Sequence, residues 1–377
     1  MQGTETGRTA LEHEIVASIE ADGPMSLAHY MALCLGHPQH GYYATRDPFG
    51  AAGDFTTAPE ISQMFGELIG LWAVDAWQRN GAPDPFALVE LGPGRGTLMS
   101  DALRAARVVP VFLAAVEIHL VETSRVLRER QKTTLQTTGK PIIWHDDLGT
   151  VPDLPVIMIA NEFFDALPVR QFERRGGHWH ERQVGLDPDR SLILTLGPPL
   201  PHSSDAGAPW QDAADGAVIE QSPACEAIIA AIAQRIATSG GGALVIDYGH
   251  ARPGVGDTLQ AVRGHRYAGV FETPGDADLT AHVDFARLAE CAAQNGATAH
   301  GPMEMGAFLR ALGIEARAAT LKKTATEQSR RDIDAALHRL TDPAAIGSLF
   351  KVLALSGADG PAPAPFDISR PEHETPP

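Results

Sequence analysis

Short apolar runs alternate with amphipathic segments through the middle of the chain. FALVEL, VFLAAVEIHLVE, PIIWHDDL, PVIMIANEFF and ALVIDYG are predicted as strands, and TLMSDALRAAR, TSRVLRERQKTTL and CEAIIAAIAQRIATS as helices. The predicted strands are nearly continuous in apolar residues, which is typical of parallel strands covered by helices on both faces. The pattern therefore predicts an α/β fold with a mostly parallel, Rossmann-like sheet.

The flanking segments carry different patterns. Residues 10–35 predict two short helices, and apolar positions from Ile61 to Trp72 predict a helix that ends near Arg79. Thr57 and Glu60 have the spacing of a capping box. Later in the chain, helices are predicted around 281–295 and 303–312, and a last strand in SLFKVLALSG. We predict an N-terminal helical or lid segment (1–82), a Rossmann-like half (83–168), an insertion (169–240), a C-terminal half with substrate-side insertions (241–365) and a tail (366–377).

Composition narrows the function classes. The 377 residues are 44% hydrophobic and 20% charged, and no apolar run is long enough to cross a bilayer. The net charge of −17 disfavours nucleic acid as a partner and would attract a cationic substrate, although solubility alone also explains it. The polar start and three dispersed cysteines predict a cytoplasmic protein without disulfides or a cysteine-built zinc site.

A glycine turn, GPGRGT, separates the strand FALVEL from the next predicted helix. Phosphate-binding loops need a lysine that is missing here, and the dinucleotide pattern would need glycine at Thr97. The spacing ExGxGxG instead resembles motif I of class I S-adenosylmethionine-dependent methyltransferases. Its predicted cofactor-binding positions are Glu90, Gly92, Pro93, Gly94 and Gly96.

Acidic residues at three successive strand ends support this interpretation. Glu90 precedes the turn, Glu122 ends the second strand beside Thr123, and Asp146 or Asp147 ends the third. S-adenosylmethionine is doubly cationic and has no pyrophosphate, so carboxylates favour its binding. Glu122 is placed to accept the ribose hydroxyls, and Asp146 or Asp147 to accept from the adenine amine.

Longer motifs resemble the MidA family. They are GPMSLAHYMALCLGHPQHGYY, DPFGAAGDFTTAPEISQMFGELIGLW, VELGPGRGTLM and ANEFFDALPVRQF, and the resemblance covers roughly residues 20–355. Arg125 departs from the proline that relatives tend to carry. The resemblance implies a seven-stranded methyltransferase with an inserted lobe. It also implies symmetric dimethylation of arginine on a complex I subunit, the quinone-module subunit of about 49 kDa in the mitochondrial case.

The acceptor side is predicted from ANEFFDALP at the end of the fourth strand. The Asn161 amide oxygen could accept from the target nitrogen, and Glu162 could hold the guanidinium. Phe163 or Phe164 could line the acceptor slot, with core packing as the alternative. Asp165 is either catalytic or the cap of the next turn.

Two further segments carry candidates. Asp54 is predicted as catalytic and Phe55 as substrate-binding, on a glycine-flanked loop. Asp247 and Tyr248, at the end of VIDYGH, are predicted substrate contacts. No metal is expected, because the histidines lack ligand spacing. The alternatives are a chaperone-like assembly factor that uses the cofactor structurally, and a small-molecule methyltransferase.

Overall fold

The computed structural model describes residues 8–46, 56–201, 210 and 212–367. Asp54 and Phe55 therefore lie outside the described residues. The helices are α1 (Ala10–Asp22), α2 (Leu27–Gly36), α3 (Tyr42–Thr45), α4 (Ala58–Ile61), α5 (Gln63–Arg79), α6 (Thr97–Ala105), α7 (Pro110–Ala115), α8 (Arg125–Leu135), α9 (Pro223–Ser239), α10 (Phe285–Gln294), α11 (Met305–Ala311), α12 (Ile314–Lys322) and α13 (Glu327–Thr341). Short 3-10 turns follow at Ala106–Val108, Gln136–Thr138 and Leu148–Thr150.

Across the described residues the strands form three sheets. They are β1 (Met25–Ser26), β2 (Phe86–Leu91), β3 (Val116–Val121), β4 (Ile142–His145), β5 (Val156–Asn161), β6 (Arg170–Arg175), β7 (His178–Leu186), β8 (Leu192–Pro199), β9 (Val218–Gln221), β10 (Gly241–His250), β11 (Gln260–Arg263), β12 (Arg266–Ala268), β13 (Asp278–Thr280), β14 (Val283–Asp284), β15 (Ala297–Glu304) and β16 (Phe350–Gly357).

The largest sheet has the order β15-β16-β10-β5-β2-β3-β4, and β14 pairs with the end of β10. Strands β10, β5, β2, β3 and β4 are mutually parallel, whereas β16 runs antiparallel to both of its neighbours. The predicted mostly parallel, seven-stranded methyltransferase sheet is therefore confirmed. Every residue of β2 and β5 is buried, as expected for central strands covered on both faces.

The chain folds into two compact units, and neither is a single continuous stretch of sequence. One contains Met1–Phe55, Asp165–Ala227 and Arg252–His282, and the other contains Thr56–Phe164, Ile228–Ala251 and Val283–Pro377. The second unit holds the large sheet and a core that includes Phe65, Trp72 and Phe308. The predicted segments follow the chain, whereas each compact unit is assembled from three separate stretches.

The first unit is built on antiparallel pairing. Its larger sheet has the order β1-β7-β6-β9 with β8 on β7, and its smaller sheet has the order β12-β11-β13. Apolar residues of α1 and α2, including Leu11, Ile15 and Tyr30, pack with Val184 of β7 and Leu279 of β13. Strands β6 and β7, within the predicted insertion, pair antiparallel as a hairpin.

Two local predictions were wrong. The first half of VFLAAVEIHLVE forms α7, because Pro110 begins a helical turn and only Val116–Val121 remains as strand. Thr57 makes no side-chain cap for α4, so the capping box is absent. Helices α12 and α13 and the strand β15 were not predicted. The sequences of α12 and β15 mix polar and apolar residues without a clean period, whereas α13 has a helical apolar period, Ile333, Ala336, Leu337 and Leu340, that the sequence analysis missed.

Candidate functional site

The glycine turn leaves β2 through three residues in the left-handed region. The φ angles are +61° at Gly92, +52° at Gly94 and +80° at Gly96, and Gly96 caps α6. A Cβ at Gly92 would lie 2.8 Å from the ring of Phe163. The turn therefore requires glycine both for its backbone angles and for space, and it leaves a bare backbone surface ahead of a helix N-terminus.

Glu90 is a buried acid with an unsatisfied oxygen. Its side chain is 3% exposed, and Oε2 has no hydrogen-bond partner among the described residues. Burial raises the pKa of the Glu90 carboxyl to about 8, with a further contribution from the charge of Glu122. Such an acid is costly to bury alone and would be stabilised by a cation beside it.

Glu122 follows β3 and is held on both carboxylate oxygens. The Ser124 backbone N–H donates to Oε1 at 2.8 Å, and the Gln131 amide donates to Oε2 at 3.1 Å. Burial raises the pKa of the Glu122 carboxyl, and these hydrogen bonds oppose the rise. Thr123, the next residue, is exposed.

Strand register explains why these polar groups lie together. Glu90 pairs with Leu120 on β3 and with Ile159 on β5. Side chains alternate along a strand, so Glu90, Glu122 and Asn161 share one face of the sheet at its carboxyl end. This edge is the usual ligand site of an open α/β sheet.

The predicted adenine acids have other partners. Asp146 is exposed and forms an ion pair with Arg128 at 2.6 Å. Asp147 accepts the backbone N–H of Gly149 at 2.6 Å and begins the 3-10 turn Leu148–Thr150. Both lie at the end of β4, as predicted, and contact with the adenine stays a prediction.

Glu162, directly after β5, has the strained backbone that often marks a functional residue. Its φ of +51° is in the left-handed region, which costs a residue with a side chain about 1–2 kcal/mol. Its Oε1 accepts from the backbone N–H of Ala58 at 2.9 Å and from the amide of Asn161 at 3.1 Å. The Oδ1 of Asn161 is buried and has no hydrogen-bond partner among the described residues.

Asp247 organises the turn that carries these residues. It is fully buried, and its Oδ2 accepts the backbone N–H groups of Phe163 and Phe164 at 3.1 and 2.9 Å. Phe164 is buried in turn, whereas Phe163 is half-buried against Gly92. Tyr248 packs edge-on against Phe350.

Glu60 and Thr97 are functional candidates that sequence reasoning did not identify. The Thr97 hydroxyl donates to Glu60 Oε1 at 2.5 Å, and Arg95 lies 3.9 Å from Glu60 Oε2. Together with the hydrogen bond from Ala58 to Glu162, this contact ties α4 to both the glycine turn and the end of β5. Their separation of 37 residues left no sequence signal.

Asp165 belongs to the other unit, where its backbone carbonyl accepts the N–H of Ala281. Asp165 is buried, and burial together with the charges of Asp278 and Asp165 raises the pKa of the Tyr43 hydroxyl.

Across the described residues there is no group of three or more His, Cys, Asp and Glu arranged to hold a metal ion. In that same part of the chain no helix has the length and apolarity required to span a membrane.

Comparison with known proteins decides the family. Residues 68–303 match the sequence profile of the S-adenosyl-L-methionine-dependent methyltransferase family Methyltransf_28. The chain belongs to this family. The crystal structure of a COG1565 superfamily member from Burkholderia thailandensis, bound to S-adenosyl-homocysteine, is 28% identical with a TM-score of 0.79, and the match covers 92% of each chain.

Curated relatives are more specific. The mouse protein named "Protein arginine methyltransferase NDUFAF7, mitochondrial" is 38% identical over 92% of this chain and 84% of its own length. The human protein of the same name is 37% identical, and the match covers 92% of this chain and 83% of the human protein. The predicted enzyme class and the cofactor S-adenosyl-L-methionine are thus confirmed. The predicted cytoplasmic location is contradicted, because these relatives are named as mitochondrial proteins.

The residues at the sheet edge fit the cofactor. Glu90 offers a cation a buried carboxylate oxygen that no described residue satisfies, and the glycine turn offers a surface that a Cβ at Gly92 would obstruct. Glu122 offers a fixed carboxylate one strand away. This set suits a ligand that carries an ammonium and a ribose diol.

Proposed function

We propose that this methyltransferase modifies arginine side chains of a protein, forming symmetric dimethylarginine on the 49 kDa-type, quinone-module subunit of respiratory complex I and supporting assembly of that complex. The observation that carries the proposal is the sequence identity of 36–38% to proteins named as arginine methyltransferases, over more than nine tenths of this chain. The excess of acidic residues, with a net charge of −17, favours a cationic acceptor segment.

The arrangement of residues at the sheet edge supports the cofactor roles that we propose. When bound, S-adenosylmethionine supplies a methyl group on a positively charged sulfur. We assign Glu90 to the ammonium of the cofactor and Glu122 to its ribose hydroxyls. The backbone from Gly92 to Gly96, including Pro93 and Gly94, lies along the cofactor, while Thr123 with Asp146 or Asp147 borders the adenosine.

The acceptor roles fall to residues after β5. A guanidinium stays protonated at neutral pH, so it must be held by a carboxylate and lose a proton as it is methylated. We assign both tasks to Glu162, whose strained backbone is fixed by its hydrogen bonds to Ala58 and Asn161. The Oδ1 of Asn161, which has no hydrogen-bond partner within the described part of the chain, is available to a donor from either ligand.

Neighbouring residues support these groups. Phe163 is proposed to line the acceptor slot, and Asp247 to position the Phe163–Phe164 turn from inside the fold. Tyr248 is retained as a candidate for contact with the acceptor segment. Phe164 and Asp165 are buried, and their predicted roles stay untested. Asp54 and Phe55 are retained as candidates from their sequence context alone.

The test is methylation of the candidate subunit in vitro. The purified chain is incubated with labelled S-adenosylmethionine and the 49 kDa-type subunit, and modified peptides are identified by mass spectrometry. We expect symmetric dimethylarginine. Modification of another residue type, or methylation of small molecules only, would contradict the proposal.

A pair of variants separates catalysis from binding. Glu162→Gln keeps an acceptor for the Ala58 N–H but removes the charge, so we expect turnover to fall about 100-fold or more with unchanged affinity for S-adenosyl-homocysteine. Glu129→Gln, at an exposed position on α8, is the matched control. If Glu162→Gln restores complex I assembly in a deletion strain without methylating the subunit, a binding function is favoured over catalysis.

A further inference from the structure

We propose that Gln131 is a positioning residue of the cofactor site, which sets the orientation of Glu122 and the shape of the glycine turn. The inference rests on the proposed function, because it assigns Gln131 a role through Glu122 and Gly94. Gln131 lies on α8 and does not belong to the sequence motifs that predict the site.

Gln131 is fully buried, yet every polar group of its side chain has a partner. Its Nε2 donates to the Gly94 carbonyl at 2.8 Å and to Glu122 Oε2 at 3.1 Å. Its Oε1 accepts from the indole N–H of Trp144 at 2.8 Å. One carboxamide therefore joins the glycine turn, the end of β3 and the strand β4.

The position itself argues against a purely structural role. Leu127, Gln131 and Leu135 are the buried residues of α8, at intervals of four, which is the stripe by which a helix packs on its core. An apolar side chain would fill this place without the cost of burying an amide. The hydrogen bonds of the carboxamide explain its presence at this position, because two of its three partners, Gly94 and Glu122, are predicted parts of the cofactor site.

Hydrogen-bonding capacity fixes the direction of the amide. The Trp144 indole can only donate, so Gln131 must present its oxygen to Trp144 and its NH₂ group to Gly94 and Glu122. With Ser124 N–H on the other oxygen, both oxygens of Glu122 are anchored and retain lone pairs for the ribose hydroxyls. A neutral donor also adds no positive charge beside Glu122, whereas a lysine at this position would form an ion pair with it.

The test measures the affinity of S-adenosyl-homocysteine by calorimetry for wild type, Gln131→Met and Gln136→Met. Methionine has a similar length and no strong hydrogen-bonding group. We expect Gln131→Met to weaken binding about 10- to 100-fold, since one of the lost hydrogen bonds ends on a carboxylate. Gln136, exposed in the adjoining 3-10 turn, is the matched control, and its substitution should leave the affinity unchanged.

An analogue separates positioning from general loosening of the fold. For 2′,3′-dideoxy S-adenosyl-homocysteine, which lacks the groups assigned to Glu122, the penalty of Gln131→Met should shrink to a fewfold. Equal penalties for both ligands, or no penalty for either, would overturn the inference. Wild type that binds neither ligand would instead refute the proposed function, and the inference with it.

A second variant covers the case in which Gln131→Met does not fold. Gln131→Glu keeps the acceptor for Trp144 but introduces a carboxylate beside Glu122. Relative to wild type, its affinity for S-adenosyl-homocysteine should fall further between pH 6 and pH 8 as the new carboxyl ionises. If the ratio of the variant's affinity to that of wild type does not change with pH, the contact between position 131 and Glu122 is contradicted.

Discussion

We predict that the buried carboxyl group of Glu90, which we assign to cofactor binding, lowers the stability of the ligand-free protein at neutral pH. Its pKa is raised from the ordinary 4.5 to about 8, first by burial and then by Glu122. The folded state therefore binds this proton more tightly than the unfolded state does. It follows that the free energy of unfolding contributed by this group declines as pH rises from 4.5 through 8.

The magnitude follows from the shift. A pH of 7 is 2.5 units above the ordinary pKa of 4.5 and still below the raised pKa of about 8. Between pH 4.5 and pH 7 the contribution of Glu90 to the free energy of unfolding therefore falls by about 3 kcal/mol, at about 1.4 kcal/mol per unit. Glu90→Gln removes this term, since an amide does not titrate. The stability of the variant relative to wild type should therefore rise by about 3 kcal/mol between pH 4.5 and pH 7.

The assay is urea unfolding of both ligand-free proteins at several pH values, with S-adenosyl-homocysteine titrated in parallel. In wild type we expect affinity to increase from pH 6 to pH 7.5, because the ammonium of the ligand requires the ionised form of Glu90. In Glu90→Gln the affinity should be lower and this dependence largely lost. Parallel stability curves for the two proteins across pH would refute the reasoning.

Three other substitutions test the remaining parts of the site. Gly92→Ala places a Cβ 2.8 Å from the Phe163 ring at a φ of +61°, so thermal unfolding should show a loss of about 1–3 kcal/mol and calorimetry a weaker affinity for S-adenosyl-homocysteine. Asp247→Ala leaves the backbone N–H groups of Phe163, Phe164 and Tyr248 without their carboxylate acceptor and should cost about 2–5 kcal/mol by urea unfolding; a neutral result would remove Asp247 from the support of the turn. Thr97→Val breaks the hydrogen bond to Glu60 and should lower stability by about 1 kcal/mol, while Thr97→Ser restores it.

Some features of the site were predictable because they are local. The run FALVEL followed by glycines at fixed spacing identified β2, its turn and Glu90, since strand, turn and helix N-terminus are continuous in sequence. Glu122 was found by the same logic one strand later. Apolar periodicity predicted the parallel strands of the large sheet, except where Pro110 turned the start of a predicted strand into α7. The number of seven strands was implied by the family resemblance.

Contacts between distant residues were not predictable. The environment of Glu90 depends on register with β3, the partners of Gln131 come from three separate elements, and Glu60 meets Thr97 across 37 residues. Asp247 illustrates this limit. The sequence placed it correctly towards the end of its strand, but it did not reveal that the side chain is buried.

The sequence by itself determined the class of the fold, the methyl donor and the strand ends that carry the candidate residues, because periodicity and glycine spacing are local properties. Only the tertiary structure decided which polar groups are buried and which partners they have. Those properties depend on which residues the sheet and its helices bring within hydrogen-bonding distance, and neither charge nor spacing along the chain encodes that distance.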